Sequence, residues 1–194
     1  MLDFIFIIGP SGVGKSTLAQ GLFRHLNSTY IEQHMVPEFL SRDGTEPMTG
    51  LLEEKTCWEN TKAMAMCFHR LGYRNVIVSD LDDLRTADLP MDFKGTSFLT
   101  LKLVCRDPEQ LRSRMQNRSS GLVDFELQEK SSRRILERPL LPNEAELDTA
   151  GLTEEEVLQQ ALRIIASFEP QLDYAYEKPP KDQFYSWVFE NGLR

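Results

Sequence analysis

Short apolar stretches alternate along the chain with longer segments of helical periodicity. Two of the apolar stretches are rich in Leu and β-branched residues, which is typical of strands buried on both faces of a parallel sheet. The predicted strands are 3–8, 29–35, 75–79, 99–105 and 145–148. The predicted helices are 15–26, 51–72, 108–118, 125–138 and 153–167. This alternation predicts right-handed crossovers and a three-layer α/β sandwich around a mainly parallel sheet of about five strands.

Two of the predicted helices begin with recognisable capping chemistry. Asp107 is an N-cap candidate, because Pro108 follows at the first helical position and Gln110 lies three residues after the cap. Thr153 and Glu156 have the spacing of a capping box, and acidic residues in this first turn are favourable at the positive end of the helix dipole. Both capping patterns support the predicted helices 108–118 and 153–167.

Length and composition favour a single folded domain in a reducing compartment. The chain has 194 residues, of which 41% are hydrophobic and 27% charged, so it can bury a core. Cys57, Cys67 and Cys105 are scattered without a CxxC pair, which argues against a disulfide framework or a zinc site. No apolar run is long enough to cross a bilayer, and the first residues lack the features of a signal peptide. We expect a cytoplasmic protein without membrane contact, as a monomer or a homodimer.

Positive charge is concentrated in one part of an acidic chain. The net charge of −8 disfavours a nucleic-acid partner, so an anionic ligand needs a local basic cluster. Segment 106–138 has eight basic and six acidic residues, and the planar fork of arginine suits phosphate oxygens. The ordinary alternative is a solvated helix face with i,i+4 ion pairs. The arginines of this segment are Arg106, Arg112, Arg114, Arg118, Arg133, Arg134 and Arg138.

Residues 9–16 carry a complete G-x-x-x-x-G-K-[ST] phosphate-loop (Walker A) motif. An apolar strand leads into it and a helical segment leaves it, which is the context that the motif requires. Backbone N–H groups of such a loop form an anion nest at a helix N-terminus. We expect Lys15 to reach the β- and γ-phosphates of a nucleotide and Ser16 to ligate Mg²⁺. The predicted nucleotide contacts of the loop are Gly9, Pro10, Ser11, Gly12, Val13, Gly14, Lys15, Ser16 and Thr17.

Polar residues follow the predicted second and third strands. Asp80 comes directly after 75–79, at the edge of the sheet where open α/β proteins bind ligands. A carboxylate there is suited to bind Mg²⁺ through water or to take the proton of an acceptor hydroxyl. An N-cap is the structural alternative for Asp80, and Asp82 or Asp83 is an alternative for either role. Glu38 and Arg42 follow the second strand and are candidate acceptor-binding residues.

The motifs beyond the loop resemble those of a known group of enzymes. The pattern D-P-x-x-L-x-x-R-x-x-x-R begins at Asp107, and a polar break at 119–121 and a second arginine-bearing helix follow it. A last predicted strand ends in Leu-Asp at position 148. This order resembles the small P-loop kinases of the shikimate, gluconate and adenylate kinase type, over roughly residues 1–168.

The resemblance implies a mobile LID at about 119–131 and roles for several residues. Arg114 and Arg118 would be the first LID pair, one of them stacked on adenine, and Arg133 and Arg134 would lie at its closing end. Asp148 and Thr149 would begin the loop that forms the other wall of the adenine slot.

The resemblance does not extend to the acceptor site. The D-G-[FY]-P-R signature of adenylate kinases, the Gly-rich shikimate-binding turn and the T-R-x-P-R segment of guanylate kinases are all absent. The D-T-A-G sequence at 148–151 looks like that of Ras-type GTPases, but it comes about 130 residues after the phosphate loop and no N-K-x-D occurs.

We therefore predict an enzyme that uses ATP and Mg²⁺ to phosphorylate the hydroxyl of a small-molecule acceptor. A nucleoside or nucleotide kinase is the first alternative, and a polynucleotide 5′-end kinase is another. The alternative of another class is a non-catalytic ATP-binding module that engages a partner through residues 169–194. We expect those residues to pack back on the domain.

Overall fold

The protein is built on one parallel five-stranded sheet, as a computed structural model shows for residues 1–35, 50–81, 83–116 and 125–179. The strand order is β2-β3-β1-β4-β5, and every neighbouring pair is parallel. This architecture confirms the predicted fold class. The strands are β1 (Phe4–Ile8), β2 (Tyr30–Glu32), β3 (Val76–Ser79), β4 (Phe98–Val104) and β5 (Glu144–Asp148).

Helices connect the strands, and the five predicted ones form within two residues of the expected bounds wherever these are described. The Asp107 carboxylate accepts a hydrogen bond from the Gln110 N–H at 2.9 Å, and Thr153 and Glu156 make the capping box. No helix in the described ranges is long and apolar enough to cross a membrane. The helices are α1 (Lys15–Leu26), α2 (Gly50–Arg70), α3 (Asp83–Thr86), α4 (Leu89–Asp92), α5 (Pro108–Gln116), α6 (Phe125–Glu137) and α7 (Glu154–Ser167).

The second strand is shorter than the prediction of 29–35. Only Tyr30–Glu32 is a strand, and Gln33–Met35 forms a 3-10 turn. The reason lies in the neighbouring strand, because Glu32 pairs with Ser79 and Ser79 is the last residue of β3. Beyond Glu32 no described strand lies beside β2 to form hydrogen bonds with it. The apolar pattern alone therefore predicted a strand that was too long.

Both faces of the sheet are covered by apolar cores. Ile5 and Ile7 of β1 pack with α1 and α7 on one face, and Phe4, Phe6 and Ile8 pack with α2 on the other. All five β1 side chains are buried, and each contributes about 1.5–3 kcal/mol relative to an exposed one. This accounts for the continuous apolar run that precedes the phosphate loop.

A buried lysine ties α6 to the sheet. Lys102, on β4, is 1% exposed, and its ammonium lies 3.0 Å from both the Glu146 carboxylate and the Arg138 carbonyl oxygen. A second buried pair joins Arg138 to Glu144 at the start of β5. Both contacts lie at the C-terminal end of α6, so this end is anchored in the sheet.

Candidate active site

The phosphate loop lies between the end of β1 and the start of α1. Gly14 is the N-cap of α1 with a φ of +104°, a conformation that glycine adopts without strain, and it supplies no side-chain cap. The first N–H groups of α1 therefore have no capping side chain and are available to an anion. The loop is thus built as a backbone nest at the positive end of a helix dipole.

Gly9 shows why the first glycine of the motif is needed here. Its φ is +146°, and a Cβ at this position would lie 2.5 Å from the carbonyl oxygen of Leu103 on the neighbouring strand. Contacts under 3.0 Å from a Cβ to backbone are essentially never seen, so only glycine fits. The loop can leave β1 only by passing close to β4.

A cavity of about 680 Å³ opens over the loop, at the carboxyl edge of the sheet. Its size lies within the range of small-molecule and cofactor sites. The structure brings the predicted loop residues from Ser11 onward together here with Asp80, Arg114 and Thr149. The lining residues are Ser11, Gly12, Val13, Gly14, Lys15, Ser16, Thr17, Leu18, Asp80, Arg114, Thr149, Leu152, Glu154 and Val157.

Lys15 and Asp80 meet in this cavity although they are far apart in the sequence. The ammonium of Lys15 lies 3.4 Å from the Asp80 carboxylate, and it donates to the carbonyl oxygens of Gly9 and Pro10 at 3.0 and 3.2 Å. The contact between Lys15 and Asp80 follows from the strand order, because β3 is directly beside β1 and both strands end at the same edge of the sheet. Gly9 and Pro10 thus contribute carbonyl groups beneath the loop and do not line the cavity.

Asp80 has an unusual backbone for its residue type. Its φ is +60°, in the left-handed region that aspartate tolerates better than most residues. The side chain is 47% exposed, whereas that of Lys15 is 12% exposed. The carboxylate is therefore accessible to a ligand, while the lysine is held against the loop.

The oxygen donors of the cavity fit a magnesium ion. Ser16 and Asp80 both line it, and hard cations such as Mg²⁺ prefer oxygen ligands. Within the described ranges there is no group of three or more His, Cys, Asp and Glu residues that could hold a metal. Mg²⁺ usually binds through one or two protein oxygens, substrate phosphates and water.

Arg114 bridges from α5 to the loop after β5. Its guanidinium donates to the hydroxyl and to the carbonyl oxygen of Thr149, both at 3.0 Å. Thr149 is 1% exposed and is fixed in turn, since its N–H and hydroxyl both donate to the carbonyl oxygen of Val104. Arg114 and Thr149 thus form one wall of the cavity, with a fixed arrangement of donors.

Asp148 lies beside this wall and is not part of it. Its carboxylate accepts from the Arg106 backbone N–H at 3.2 Å and from the Ala150 N–H at 3.0 Å, and it pairs with the Arg106 guanidinium at 3.4 Å. These contacts hold the start of the loop after β5 in place. A nucleotide contact by Asp148 itself stays a prediction.

Of the other predicted LID arginines, the two that the structure describes, Arg133 and Arg134, do not line this cavity. Arg133 lines a cavity of about 460 Å³ between α5 and α6, and Arg133 and Arg134 both line one of about 440 Å³ on the far side of α6. Arg112, on α5, pairs with Glu129 of α6 at 2.6 Å, in place of an ion pair within its own helix. Phosphate contacts by Arg133 and Arg134 stay predictions.

Several predicted positions lie outside the described residues. They are Glu38, Arg42, Asp82, Arg118, the 119–124 part of the predicted LID and the 180–194 part of the segment predicted to pack on the domain. The remainder of that LID, 125–131, is the first half of α6. The acceptor-binding and LID predictions at these positions stay predictions.

Sequence reasoning missed the part of the cavity that α7 contributes. Glu154 and Val157 of α7 line it, next to the capping box of this helix, whereas Leu152 belongs to the loop predicted as the other wall of the adenine slot. A signal was present, because the predicted loop after β5 leads directly into this helix start. The spacing alone did not indicate which residues of the first helical turn face the phosphate loop.

No protein-family model matches the sequence, and no curated protein matches it. Solved structures do match the fold. A sugar kinase from Janibacter sp. HTCC2649 is similar with a TM-score of 0.58 and 18% identity, over 84% of this chain and 94% of that chain. A gluconokinase from Sinorhizobium meliloti 1021 has a TM-score of 0.56 and 20% identity, over 84% of this chain and 90% of that chain.

A thymidylate kinase from Candida albicans shares the fold as well. Its TM-score is 0.54 at 20% identity, over 84% of this chain and 91% of that chain. At such identities the similarity concerns the fold alone. It confirms, at that level, the predicted resemblance to small P-loop kinases.

Proposed function

We propose that the protein is a kinase that transfers the γ-phosphoryl group of ATP to the hydroxyl of a small-molecule acceptor. The observation that carries this proposal is the complete phosphate loop, with Lys15 and Asp80 paired at 3.4 Å in one cavity. Solved sugar and gluconate kinases with the same fold support the choice of acceptor chemistry.

The phosphate loop binds the nucleotide in this proposal. Its backbone N–H groups surround the phosphates, and Lys15 exchanges its carbonyl and carboxylate contacts for phosphate oxygens. Ser16 and Asp80 supply oxygen ligands for Mg²⁺, which would neutralise charge on the phosphates. Preorganised donors of this kind stabilise the charge that develops during phosphoryl transfer.

Arg114 and Thr149 would form the wall against which the base of ATP lies. The guanidinium is already held in the cavity by two hydrogen bonds, so little conformational freedom is lost on binding. Arg118, Arg133 and Arg134 remain candidates for closing over the phosphates and excluding water. Exclusion of water limits hydrolysis of ATP without an acceptor.

Asp80 is the proposed residue that orients or deprotonates the acceptor. As the alternative to binding Mg²⁺, it is suited to orient the acceptor hydroxyl and to accept its proton, because it is exposed to the cavity and adjacent to Lys15. Glu38 and Arg42 are the proposed contacts for the rest of the acceptor. We infer that the protein acts in the cytoplasm, because all three cysteines are free thiols.

A nucleoside or nucleotide is the second candidate acceptor. The shared fold of the thymidylate kinase from Candida albicans favours including it. The phosphate loop and Lys15 would serve both acceptors equally, so the choice depends on the acceptor side of the cavity. An acceptor panel therefore has to contain both classes.

The test is ADP release from Mg·ATP across sugars, hydroxy acids, nucleosides and nucleotides. For the wild type we expect one acceptor class to raise turnover well above the rate with water. Lys15→Met should lower that turnover roughly thousandfold, because it removes a charge that stabilises the transition state. The matched control is Lys94→Met, which removes a lysine that is 48% exposed and does not line the cavity. ATP binding without acceleration by any acceptor would instead indicate a non-catalytic nucleotide-binding module.

A further inference from the structure

Residues 171–179, here called the strap, form neither helix nor strand and run along the outside of the domain. Side chains alternate along it: Tyr174, Tyr176 and Lys178 are partly buried, whereas the residues between them are exposed. This period of two is that of an extended chain with one face against the protein. The strap therefore presents three long side chains inward at regular spacing.

The first residues of the strap are fixed at the base of the sheet. The backbone N–H of Gln171 donates to the Asn143 side chain, and the Asn143 amide donates back to the Gln171 carbonyl, both at 2.8 Å. The carbonyl of Leu172 accepts from the Gly95 N–H at 3.2 Å. From this anchor the strap passes over α4 and α3.

The inward side chains then bind the segment that joins α3 to α4. The Tyr174 hydroxyl donates to the carbonyl oxygen of Pro90 at 2.8 Å, and the Tyr176 hydroxyl donates to that of Ala87 at 2.9 Å. Lys178 makes an ion pair with Asp88, which is only 7% exposed. All three bonds end on residues 87–90, so the strap holds this short segment.

The same segment is linked to α2 by buried charge. Arg85 donates to Asp88 at 2.8 Å and, through a second side of its guanidinium, to Glu54 at 2.6 Å. Glu54 is 6% exposed. Burial disfavours the charged form of Arg85, but the bonds to the two carboxylates outweigh it and raise the pKa of Arg85. The strap, α3 and α2 thus share one network of opposite charges.

This network lies close in the chain to the candidate active site. Asp80, which pairs with Lys15, precedes Asp88 by eight positions, and α3 lies between them. On its other side the strap reaches α6, since Pro179 lines a cavity together with Arg133 and Arg134. Burial, assisted by Asp88 and Glu144 and opposed by Arg138, raises the pKa of Tyr176 to about 12. The Tyr176 phenol thus bonds to Ala87, just after α3, and is close enough to Arg138 at the end of α6 for that charge to affect its pKa.

We propose that Tyr176 and Lys178 are positioning residues for phosphoryl transfer. They hold residues 87 and 88, and through the chain Asp80, in a fixed position relative to α6. The inference rests on the proposed kinase function. In this arrangement the strap connects the acceptor side of the cavity with the helix that carries the closing arginines. Neither residue touches the reacting atoms, so each acts through the placement of Asp80.

Hydrogen–deuterium exchange with Mg·AMP-PNP as probe tests the proposal on the full chain. In the wild type we expect the probe to slow exchange in residues 9–18 and 83–92. Lys178→Met should leave protection of 9–18 intact and raise exchange in 83–92 about tenfold, which is the loss expected for one charge-assisted hydrogen bond. Lys178→Arg keeps the cation and should restore slow exchange. Lys94→Met removes a strap ion pair with the exposed Asp173 and a cation–π contact with Tyr174, but it leaves the Tyr174 hydroxyl bonded to Pro90 and should change neither region.

Kinetics separate a positioning role from a purely structural one. Lys178→Met should raise the acceptor KM or lower kcat about tenfold while the KM for ATP stays the same, and Lys178→Arg should reverse the effect. Lower stability with unchanged acceptor kinetics, or unchanged exchange in 83–92, would overturn the inference. Absence of protection at 9–18 in every variant, wild type included, would instead remove the nucleotide site and the proposed function with it.

Discussion

The two sides of the candidate active site are constructed in different ways. The nucleotide side is a backbone structure, in which consecutive residues 9–16 provide the nest and glycines provide its curvature. The segment that follows Asp80 is held by side chains, through a network that joins Glu54, Arg85, Asp88 and Lys178. The first is local in sequence and the second spans more than half of the chain.

This difference has consequences for stability and for function. Apart from the close approach of Gly9 to β4, the backbone nest needs little from elsewhere in the fold, so its defects should reduce ligand binding more than stability. A network of buried charges is costly to desolvate and depends on every partner, so loss of one member leaves others uncompensated. We therefore expect mutations on the two sides to separate affinity from stability.

The largest expected effect on stability lies in the charge network. Arg85→Met leaves Glu54 without the guanidinium that binds it bidentately and removes one of the two cations at Asp88. We expect a loss of about 3 kcal/mol in the free energy of unfolding, because the buried Glu54 carboxylate loses the bidentate partner that offsets its desolvation. Urea denaturation measures it. Arg74→Met, which removes a more exposed arginine, is the control, and an Arg85→Met loss below that of the control would contradict the comparison.

A pair of glycine variants tests the nucleotide side. Gly9→Ala forces a Cβ to within 2.5 Å of the Leu103 carbonyl oxygen and should cost about 2–3 kcal/mol. Gly14→Ala meets no atom within 4 Å, so it carries only the strain of its φ, about 1 kcal/mol. Gly14 also lines the cavity, so its substitution should weaken nucleotide binding while stability is nearly kept. Calorimetric melting and titration with Mg·AMP-PNP distinguish the two, and equal melting temperatures would contradict the close approach at Gly9.

The smallest expected effect on stability lies at Asp3, at the edge of the sheet away from the cavity. It provides a reference for the effects on the two sides of the candidate active site. Burial works to raise the pKa of the Asp3 carboxyl, but hydrogen bonds from Ser97 and His69 outweigh it and lower the pKa. Asp3 therefore stabilises the fold fully above its unfolded pKa, about 3.9, and this contribution is lost as the pH falls through the lowered folded value. Asp3→Asn should be less stable than wild type at pH 7, and the difference should shrink below about pH 4. Denaturation curves at several pH values check this, and a difference that grows on acidification would contradict it.

The secondary structure was largely predictable because its signals are local. Buried parallel strands require continuous apolar runs, and caps such as Asp107 and Thr153 act within one helical turn. The phosphate loop was predictable for the same reason, since its eight residues carry their own geometry. The length of β2 was not, because it depends on where β3 ends.

The sequence by itself determined the nucleotide side of this protein. Only the tertiary structure decided which side-chain contacts surround the phosphate loop. Residue types and spacing were sufficient to place Lys15 and Ser16 in a phosphate loop. They did not show that Arg114 binds Thr149, that Asp148 is held by Arg106, or that Lys178 reaches Asp88. Each of these contacts joins residues at least 35 positions apart. Such pairings are set by strand order and by packing across the sheet, which no short stretch of sequence encodes.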